Sequence, residues 1–194
     1  MKYLNQAIDT LKLSLSDRKD IVATTSFGFQ SSMLFYLLRE ANINCHILYI
    51  SSSLAYGGIE KQKDYIEKTF GYKTIVVDRE KWLNDQLNGR KFTDLDETEK
   101  EIICKGLKKD PLLEFIQRNN IGVWISGIRR DQTKSRKSLQ FLDTTDLGVS
   151  KISPMFNLTN TDIKASLDEM NLMVNEQYID LCKLNPKLEC GLHT

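Results

Sequence analysis

The chain has few of the residues that build metal centres or disulfide frameworks. Its 194 residues include four cysteines and two histidines, and no two cysteines stand in a CxxC spacing. Neither a zinc site nor a disulfide framework is therefore expected, and the reducing cytoplasm is the expected location. Cys45 and Cys104 are predicted to be buried structural thiols.

The chain also lacks an excess of either charge and any long apolar run. It carries 27 basic and 26 acidic residues, so no overall field favours nucleic acid or an anionic membrane as a partner. No stretch reaches the length of a membrane span, and the N-terminus lacks the apolar core of a signal peptide. Local basic clusters must therefore carry any recognition of anions.

Short β-branched apolar segments alternate with helical periodicity along the chain. Strands are predicted over 21–25, 46–50, 74–78, 122–127 and 149–152, and helices over 1–15, 31–40, 59–70, 109–119 and 161–170. This alternation predicts an α/β fold, a mainly parallel sheet with helices on both faces.

Local signals refine this prediction. Pro111 is expected in the first turn of its helix, and Thr159 or Asn160 is expected to cap the last one. The charged segment 85–101 is expected to be a mobile loop. Residues 1–186 are predicted to form a single nucleotide-binding domain, followed by a mobile tail over 187–194 that carries a cysteine.

That tail holds the most reactive residue types. Cys190 is followed by a glycine, which permits close approach to a ligand, and His193 stands three residues further on. A protonated His193 would favour the thiolate form of Cys190, whereas Glu189 would oppose it. From these residues alone, a reactive thiol and an incidental cysteine both remain open.

Two further segments are predicted to meet at the carboxyl edge of the sheet. The loop 26–32 offers hydroxyl groups and the backbone N–H groups of a helix N-terminus, and both can bind an anion. It is not a Walker loop, because no GK[ST] follows it. Arg129, Arg130 and Arg136 follow the fourth strand, and their planar guanidinium groups suit phosphate or sulfonyl oxygens. The alternative for the loop 26–32 is an ordinary strand-to-helix turn, and the alternative for the arginine segment is a solvated basic loop.

Three segments of the chain, taken in order, resemble the phosphoadenylyl-sulfate (PAPS) and adenylyl-sulfate (APS) reductases. Residues 24–32 resemble the phosphate-binding loop of that family, residues 127–136 its GLRREQSxSR motif and residues 187–193 its KxECGLH tail. The resemblance implies an adenine nucleotide alpha-hydrolase-like fold. It also implies that the following residues bind substrate: Ser26, Gly28, Gln30, Ser31, Tyr56, Glu60, Lys108, Arg129, Arg130 and Arg136.

The resemblance further implies a thiol-dependent reduction in sulfate assimilation. Cys190, with His193 beside it, would attack the sulfur of PAPS, and reduced thioredoxin or glutaredoxin would release sulfite from the resulting S-sulfonate. The iron–sulfur branch of the family carries a CC pair and a CxxC, but here Cys104 follows Ile103 and Cys182 stands alone. No bound cofactor, metal site or 4Fe–4S cluster is therefore expected.

Other interpretations remain open at this stage. They are an APS reductase, another transferase or sulfurtransferase on the same fold, and a non-catalytic relative that binds nucleotide. The expected partners are an adenylyl-sulfate type nucleotide and thioredoxin or glutaredoxin. The sequence leaves a homodimer open.

Overall fold

The computed structural model describes residues 2–145 and 148–183. The predicted tail, with Cys190 and His193, lies outside the described residues. The helices are α1 (Lys2–Leu15), α2 (Ser31–Glu40), α3 (Ile59–Phe70), α4 (Glu80–Leu87), α5 (Glu97–Arg118) and α6 (Asn160–Glu169). The strands are β1 (Ile21–Thr25), β2 (His46–Ser51), β3 (Ala55–Tyr56), β4 (Thr74–Asp78), β5 (Val123–Ser126), β6 (Leu142–Thr144), β7 (Ser150–Ile152) and β8 (Ile179–Asp180). Short 3-10 helices cover Phe92–Asp94, Lys134–Ser138 and Leu181–Lys183.

The main sheet has six strands in the order β4-β2-β1-β5-β7-β6. All neighbouring pairs are parallel except β6 with β7, which is antiparallel. A separate two-residue ladder joins β3 to β8 in antiparallel register. The predicted α/β fold with a mainly parallel sheet is confirmed.

Both faces of the sheet are covered because its central strands are apolar on both sides. In β1, Ile21 and Ala23 belong to one cluster with residues of α1, α2, α3 and α6, whereas Val22 belongs to a second cluster with Leu112 and Ile116 of α5. Side chains alternate between the two faces of a strand, so a continuous apolar run is what a doubly covered strand requires.

Two predictions about the region before β5 were wrong. The segment 85–101 is not a loop throughout, since α4 extends to Leu87 and α5 begins at Glu97. Asp96 caps α5 in a reciprocal capping box with Glu99, a signal that the charged composition of the segment concealed. Pro111 therefore lies inside a helix of 22 residues rather than in its first turn. At the start of α6, Thr159 is the cap, and it forms a second capping box with Asp162.

Cys104 is buried, as predicted, but the prediction that it is a thiol was wrong. Cys104 on α5 and Cys182 in the last 3-10 helix form a disulfide, with their Cα atoms 5.8 Å apart. They are separated by 78 residues, and their proximity arises only when the chain folds. Both lie in a small apolar cluster with residues of α4 and α5. Cys45 is a free cysteine, as predicted, and is partly buried.

None of the helices within the described residues is long and apolar enough to cross a membrane.

Candidate active site

The strand order places a crevice between β1 and β5. From β1 the chain continues outward through β2 and β4, then crosses to β5 and β7 on the other side of β1. Such a reversal of direction leaves a gap beyond the carboxyl ends of the two central strands, where ligands of open α/β sheets bind. The loops that follow β1 and β5 are those that the sequence singled out.

The loop after β1 has a conformation suited to an anion. Phe27 has a φ of 53°, in the left-handed region, and its buried ring stacks on Phe35 and meets Tyr49 edge to face. This packing holds a backbone conformation that is costly for a residue other than glycine. The loop leads into α2, where Gln30 occupies the cap position without a side-chain capping bond. The N-terminus of α2 thus faces the crevice with its favourable dipole.

Gly28 of this loop lies against the ring of Tyr178. A Cβ atom at Gly28 would lie 2.9 Å from Cδ1 of Tyr178, so a larger residue would push the ring away. Tyr178 and Ser26 line the same two cavities. The loop and the segment before β8 are therefore fitted to each other.

Two cavities open at this edge and share Ser26, Gln30, Tyr178 and Lys183. The larger, about 860 Å³, is lined by more charged and amide side chains, and the smaller, about 130 Å³, by more aliphatic ones. Further residues of the larger cavity are Gly28, Phe29, Arg129, Asp131, Gln132, Asn160, Thr161, Lys164, Ala165 and Asp168. The smaller is completed by Thr24, Thr25, Ser31, Leu34, Leu48, Tyr49, Ile50, Ser52, Ala55, Lys108, Ser126, Gly127, Ile128 and Asp180.

Arg129 is almost fully buried, with 1% of its surface exposed. Its Nε donates to Asp131 at 2.9 Å, and its terminal nitrogens donate to the side-chain oxygens of Gln30 and Asn160. The amide nitrogen of Gln30 donates in turn to the carbonyl oxygen of Gly127. Arg129 therefore joins the loop after β1, the loop after β5 and the start of α6.

Of the two other arginines of the motif, Arg136 contacts its own loop, and Arg130 contacts both that loop and Phe156, which follows β7. Arg130 donates from Nε to the carbonyl oxygen of Leu139, and its guanidinium lies 4.6 Å from the ring centre of Phe156. Arg136 donates to the side-chain oxygen of Gln132. Neither Arg130 nor Arg136 is among the described residues that line the two cavities.

Lys108 belongs to a buried charge cluster that closes the smaller cavity. Its Nζ lies 2.6 Å from Asp180 Oδ2, and Lys183 Nζ lies 3.3 Å from the same oxygen. Burial disfavours the charged carboxylate, but Lys183 and Lys108 outweigh it and hold the pKa of Asp180 below its ordinary value. The Tyr178 hydroxyl donates to Asp180 at 3.1 Å, and burial together with that carboxylate raises the pKa of the phenol. The cluster is thus ionic, with Tyr178 neutral.

Tyr56 and Glu60 lie apart from the predicted phosphate loop. Both line a third cavity of about 380 Å³ together with Gly57 and Gly58. This cavity shares Tyr49 and Ala55 with the smaller of the other two. The structure therefore brings Ser26, Gly28, Gln30 and Arg129 to the larger cavity, Ser31 and Lys108 to the smaller one, and Tyr56 and Glu60 to a neighbouring site.

Sequence reasoning missed the residues that close the site from the far end of the chain. Tyr178, Asp180 and Lys183 line the smaller cavity, and no motif marks them. The pairing of Lys108 with Asp180 spans 72 residues, so no local spacing could have revealed it. Asp131 could have been found, because a carboxylate adjacent to two arginines is a natural partner for one of them.

Within residues 2–145 and 148–183, no group of three or more His, Cys, Asp or Glu side chains could hold a metal ion. Cys104 and Cys182 are paired with each other.

Known proteins provide an independent comparison. Among curated proteins, the chain is 25% identical to adenosine 5'-phosphosulfate reductase 2 of Bacillus subtilis, over 89% of this chain and 83% of that protein. It is also 25% identical to phosphoadenosine 5'-phosphosulfate reductase of Vibrio parahaemolyticus, over 79% of this chain and 59% of that protein.

Solved structures share the fold. The phosphoadenylyl-sulfate (PAPS) reductase of Candida auris, solved as a phosphate complex, superposes with a TM-score of 0.70 at 14% identity, over 88% of this chain and 82% of that one. The NH3-dependent NAD synthetase of Campylobacter jejuni superposes with a TM-score of 0.63 at 12% identity, over 88% and 73% of the two chains. The adenine nucleotide alpha-hydrolase-like fold implied by the resemblance is confirmed.

The family model that describes the phosphoadenosine phosphosulfate reductase domain matches residues 20–182, from the strand before the phosphate loop to the disulfide cysteine of the last 3-10 helix. The chain therefore belongs to the phosphoadenosine phosphosulfate reductase domain family.

Proposed function

We propose that this protein reduces 3'-phosphoadenylyl sulfate to sulfite and adenosine 3',5'-bisphosphate, with reduced thioredoxin or glutaredoxin as the electron donor. The observation that carries this proposal is the pair of joined cavities at the β1–β5 crevice. The smaller one is lined by apolar side chains that suit an adenine ring, such as Leu34, Leu48 and Ile128. The larger one, with the loop after β1 and Lys164, suits the charged part of a nucleotide.

The cationic groups serve the chemistry by lowering the charge of the substrate. A phosphosulfate carries several anionic oxygens around its electrophilic sulfur, and these would repel a thiolate. Lys183 lines both cavities, and Lys108 lines the smaller one. In the ligand-free protein Asp180 pairs with both lysines and leaves a net charge of +1, and a bound anion would compete with it for them. Such fixed charges in a partly enclosed site stabilise the transition state.

Arg129 acts in this proposal as a positioning residue. Its guanidinium fixes the side chain of Gln30, which lines both cavities. The predicted substrate contacts of Arg130 and Arg136 would require these side chains to leave Leu139 and Gln132 when substrate binds. Kinetic analysis of the two alanine variants would decide whether they do.

The reaction needs a nucleophile, and Cys190 is the candidate. Its thiolate would attack sulfur, form an S–S bond and displace the phosphate oxygen of adenosine 3',5'-bisphosphate. A dithiol protein would then attack the sulfur of Cys190, release sulfite and, by closing its own disulfide, restore the thiol. His193 would favour the thiolate. A dithiol donor of this kind fits the expected cytoplasmic location.

A second candidate substrate is adenylyl sulfate, which lacks the 3'-phosphate. It is favoured by the curated relatives from Bacillus, whose names specify adenosine 5'-phosphosulfate. The two substrates are distinguished by comparing kcat/KM for sulfite release with each of them. A higher kcat/KM for APS would support the proposed reaction but show that APS, and not PAPS, is the substrate.

A covalent intermediate provides the direct test. Protein incubated with PAPS in the absence of reductant should gain one SO₃ group on the peptide that contains Cys190, measured by mass spectrometry. Cys190→Ser should form no adduct and, once reduced thioredoxin is supplied, release no sulfite. Cys45→Ser is the matched control and should retain both. Sulfite release by the Cys190→Ser variant at the wild-type rate would refute the nucleophile.

A further inference from the structure

Two crosslinks join α5 to the segment 178–183. Cys104 and Lys108 are four residues apart on α5 and therefore lie on the same side of the helix. Cys104 forms the disulfide with Cys182, and Lys108 forms the 2.6 Å ion pair with Asp180. One covalent and one ionic link thus connect the same two parts of the molecule.

The segment on the far side of these links is a wall of the nucleotide cavities. Tyr178 and Lys183 line both cavities, and Asp180 lines the smaller one. The ring of Tyr178 lies against Gly28 of the loop after β1. If this wall moved outward, the phosphate loop would lose its packing partner and the smaller cavity would open.

The other interactions that hold the wall in place are noncovalent. The N–H of Leu181 donates to the carbonyl oxygen of Leu54 at 2.8 Å, and Leu181 packs on the apolar cluster that contains the disulfide. The β3–β8 ladder pairs only Ala55 with Asp180 and Tyr56 with Ile179. A two-stranded ladder of this length is marginal by itself. Upstream, Asn175 donates to the carbonyl oxygens of Phe27 and Gly57. The disulfide is the one covalent attachment between the wall and α5 among the described residues.

Burial of the disulfide favours a structural role for it. Cys104 and Cys182 are both fully buried in the apolar cluster between α4 and α5. Attack on a disulfide needs access of a thiolate to sulfur, which this burial denies to a protein-sized reductant in the closed state. A relay of electrons through this pair during each turnover would require the wall to open each time.

We propose that the Cys104–Cys182 disulfide is a latch that holds the wall 178–183 closed over the nucleotide cavities and thereby strengthens nucleotide binding. The inference rests on the nucleotide site proposed above. A small dithiol opens the latch by thiol–disulfide exchange: the two cysteine sulfurs each gain a proton and the dithiol becomes a cyclic disulfide. In the reduced protein, noncovalent contacts alone oppose opening of the wall, namely the ion pair, the short ladder, the Leu181–Leu54 hydrogen bond and the packing of Tyr178 and Leu181.

The test compares the oxidised protein, the protein reduced with dithiothreitol, and the Cys104→Ala/Cys182→Ala double variant. Non-reducing peptide mapping first establishes the crosslink in air-purified protein. Hydrogen exchange of 178–183 should then accelerate at least about tenfold when the latch is open. The Kd for adenosine 3',5'-bisphosphate, measured by calorimetry, should rise about three- to tenfold, as expected if the closed fraction falls by that factor.

Cys45→Ala is the matched control, because it removes the free cysteine and leaves the latch intact. It should change neither measurement. Faster exchange with an unchanged Kd would overturn the proposed effect on binding, and unchanged exchange would overturn the latch. Absence of binding to every form would refute the nucleotide site itself, while exchange in 178–183 would separately report on the latch. Reduction of the wild-type protein removes no heavy atom from the core, so it serves as the test if the double variant fails to fold.

Discussion

Replacement of Arg129 by alanine should destabilise the whole protein, and not only a surface loop. A loop arginine beyond a strand is expected from sequence to contribute little to folding, because charged loop residues are usually solvated. In the structure its guanidinium is buried and donates to side chains of three separate segments, namely Gln30, Asp131 and Asn160. The alanine variant would remove all three donations, although Gln30 still accepts from Gln132 and Asp131 from the backbone of Asn160.

The magnitude follows from the burial of the pair. Removal of one partner of a buried ion pair costs about 3–5 kcal/mol of unfolding free energy. The side chain of Asp131 is 27% exposed, so water can partly solvate it after the arginine is removed, and the lower end applies. A loss of about 3 kcal/mol in a chain of this size corresponds to a decrease in Tm of roughly 6–12 °C.

Thermal unfolding followed by circular dichroism, together with urea titration, measures this directly. Arg129→Lys should lie between the wild type and Arg129→Ala, because an ammonium group keeps the charge but cannot reproduce the planar fork. Lys134→Ala is the matched control, since Lys134 is exposed in the same loop. An Arg129→Ala protein within about 0.5 kcal/mol of the wild type would refute the positioning role.

Three further predictions concern other parts of the molecule. The pKa of Asp180 is held below its ordinary value of 3.8, so its charged form stabilises the fold above about pH 4 and this contribution is lost as the pH falls through the lower folded value. Asp180→Asn should therefore lose less stability than the wild type between pH 4 and more acidic values, measured by urea unfolding; parallel pH curves would contradict this. Gly57→Ala should lower the unfolding free energy by about 1–3 kcal/mol, because Gly57 has a φ of 86° and its new Cβ would collide with the carbonyl oxygen of Gln177. The control Gly71→Ala should cost less, since Gly71 has a φ of 79° but open space around it; equal costs would show that the contact is absent. Burial raises the pKa of the Cys45 thiol to about 12. At pH 8 this thiol should therefore react with a disulfide reagent at least about a hundredfold more slowly in the native protein than in urea. The rate of modification is measured from the mass of the peptide that contains Cys45, and equal rates would show that the thiol is accessible.

The main sheet could be predicted because its signals are local. Strands β1, β2 and β4 are short β-branched runs. The continuous apolar character of β1 and β2 reflects burial on both faces, whereas Ile75 and Val76 of the edge strand β4 are exposed. The predicted bounds of helices α2 and α3 agree with those in the structure. The start of α5 was missed because a capping box in a charged segment was interpreted as a loop.

The site was predictable only where its residues stand next to strand ends. Gln30 and Arg129 follow β1 and β5, and the rule that ligands bind beyond the carboxyl ends of strands brings them together. The rule does not show that Arg129 is buried, since burial depends on Asn160 at the start of a helix far along the chain. The pairs Lys108–Asp180 and Cys104–Cys182 depend on tertiary structure alone.

Anchoring of Cys182 to α5 also sets the local concentration of the Cys190 thiol around that anchor. Cys190 follows Cys182 by eight residues, and eight residues of chain span at most about 29 Å in any conformation. One thiol confined to a sphere of that radius has an average concentration on the order of 10 mM, whatever the concentration of the protein. Doubling the intervening length would reduce this advantage by only about 0.6 kcal/mol in free energy. For the nucleophile proposed above, the anchor at Cys182 would therefore fix the point from which the thiol reaches the site, and its concentration there would change little with the length of the connecting chain.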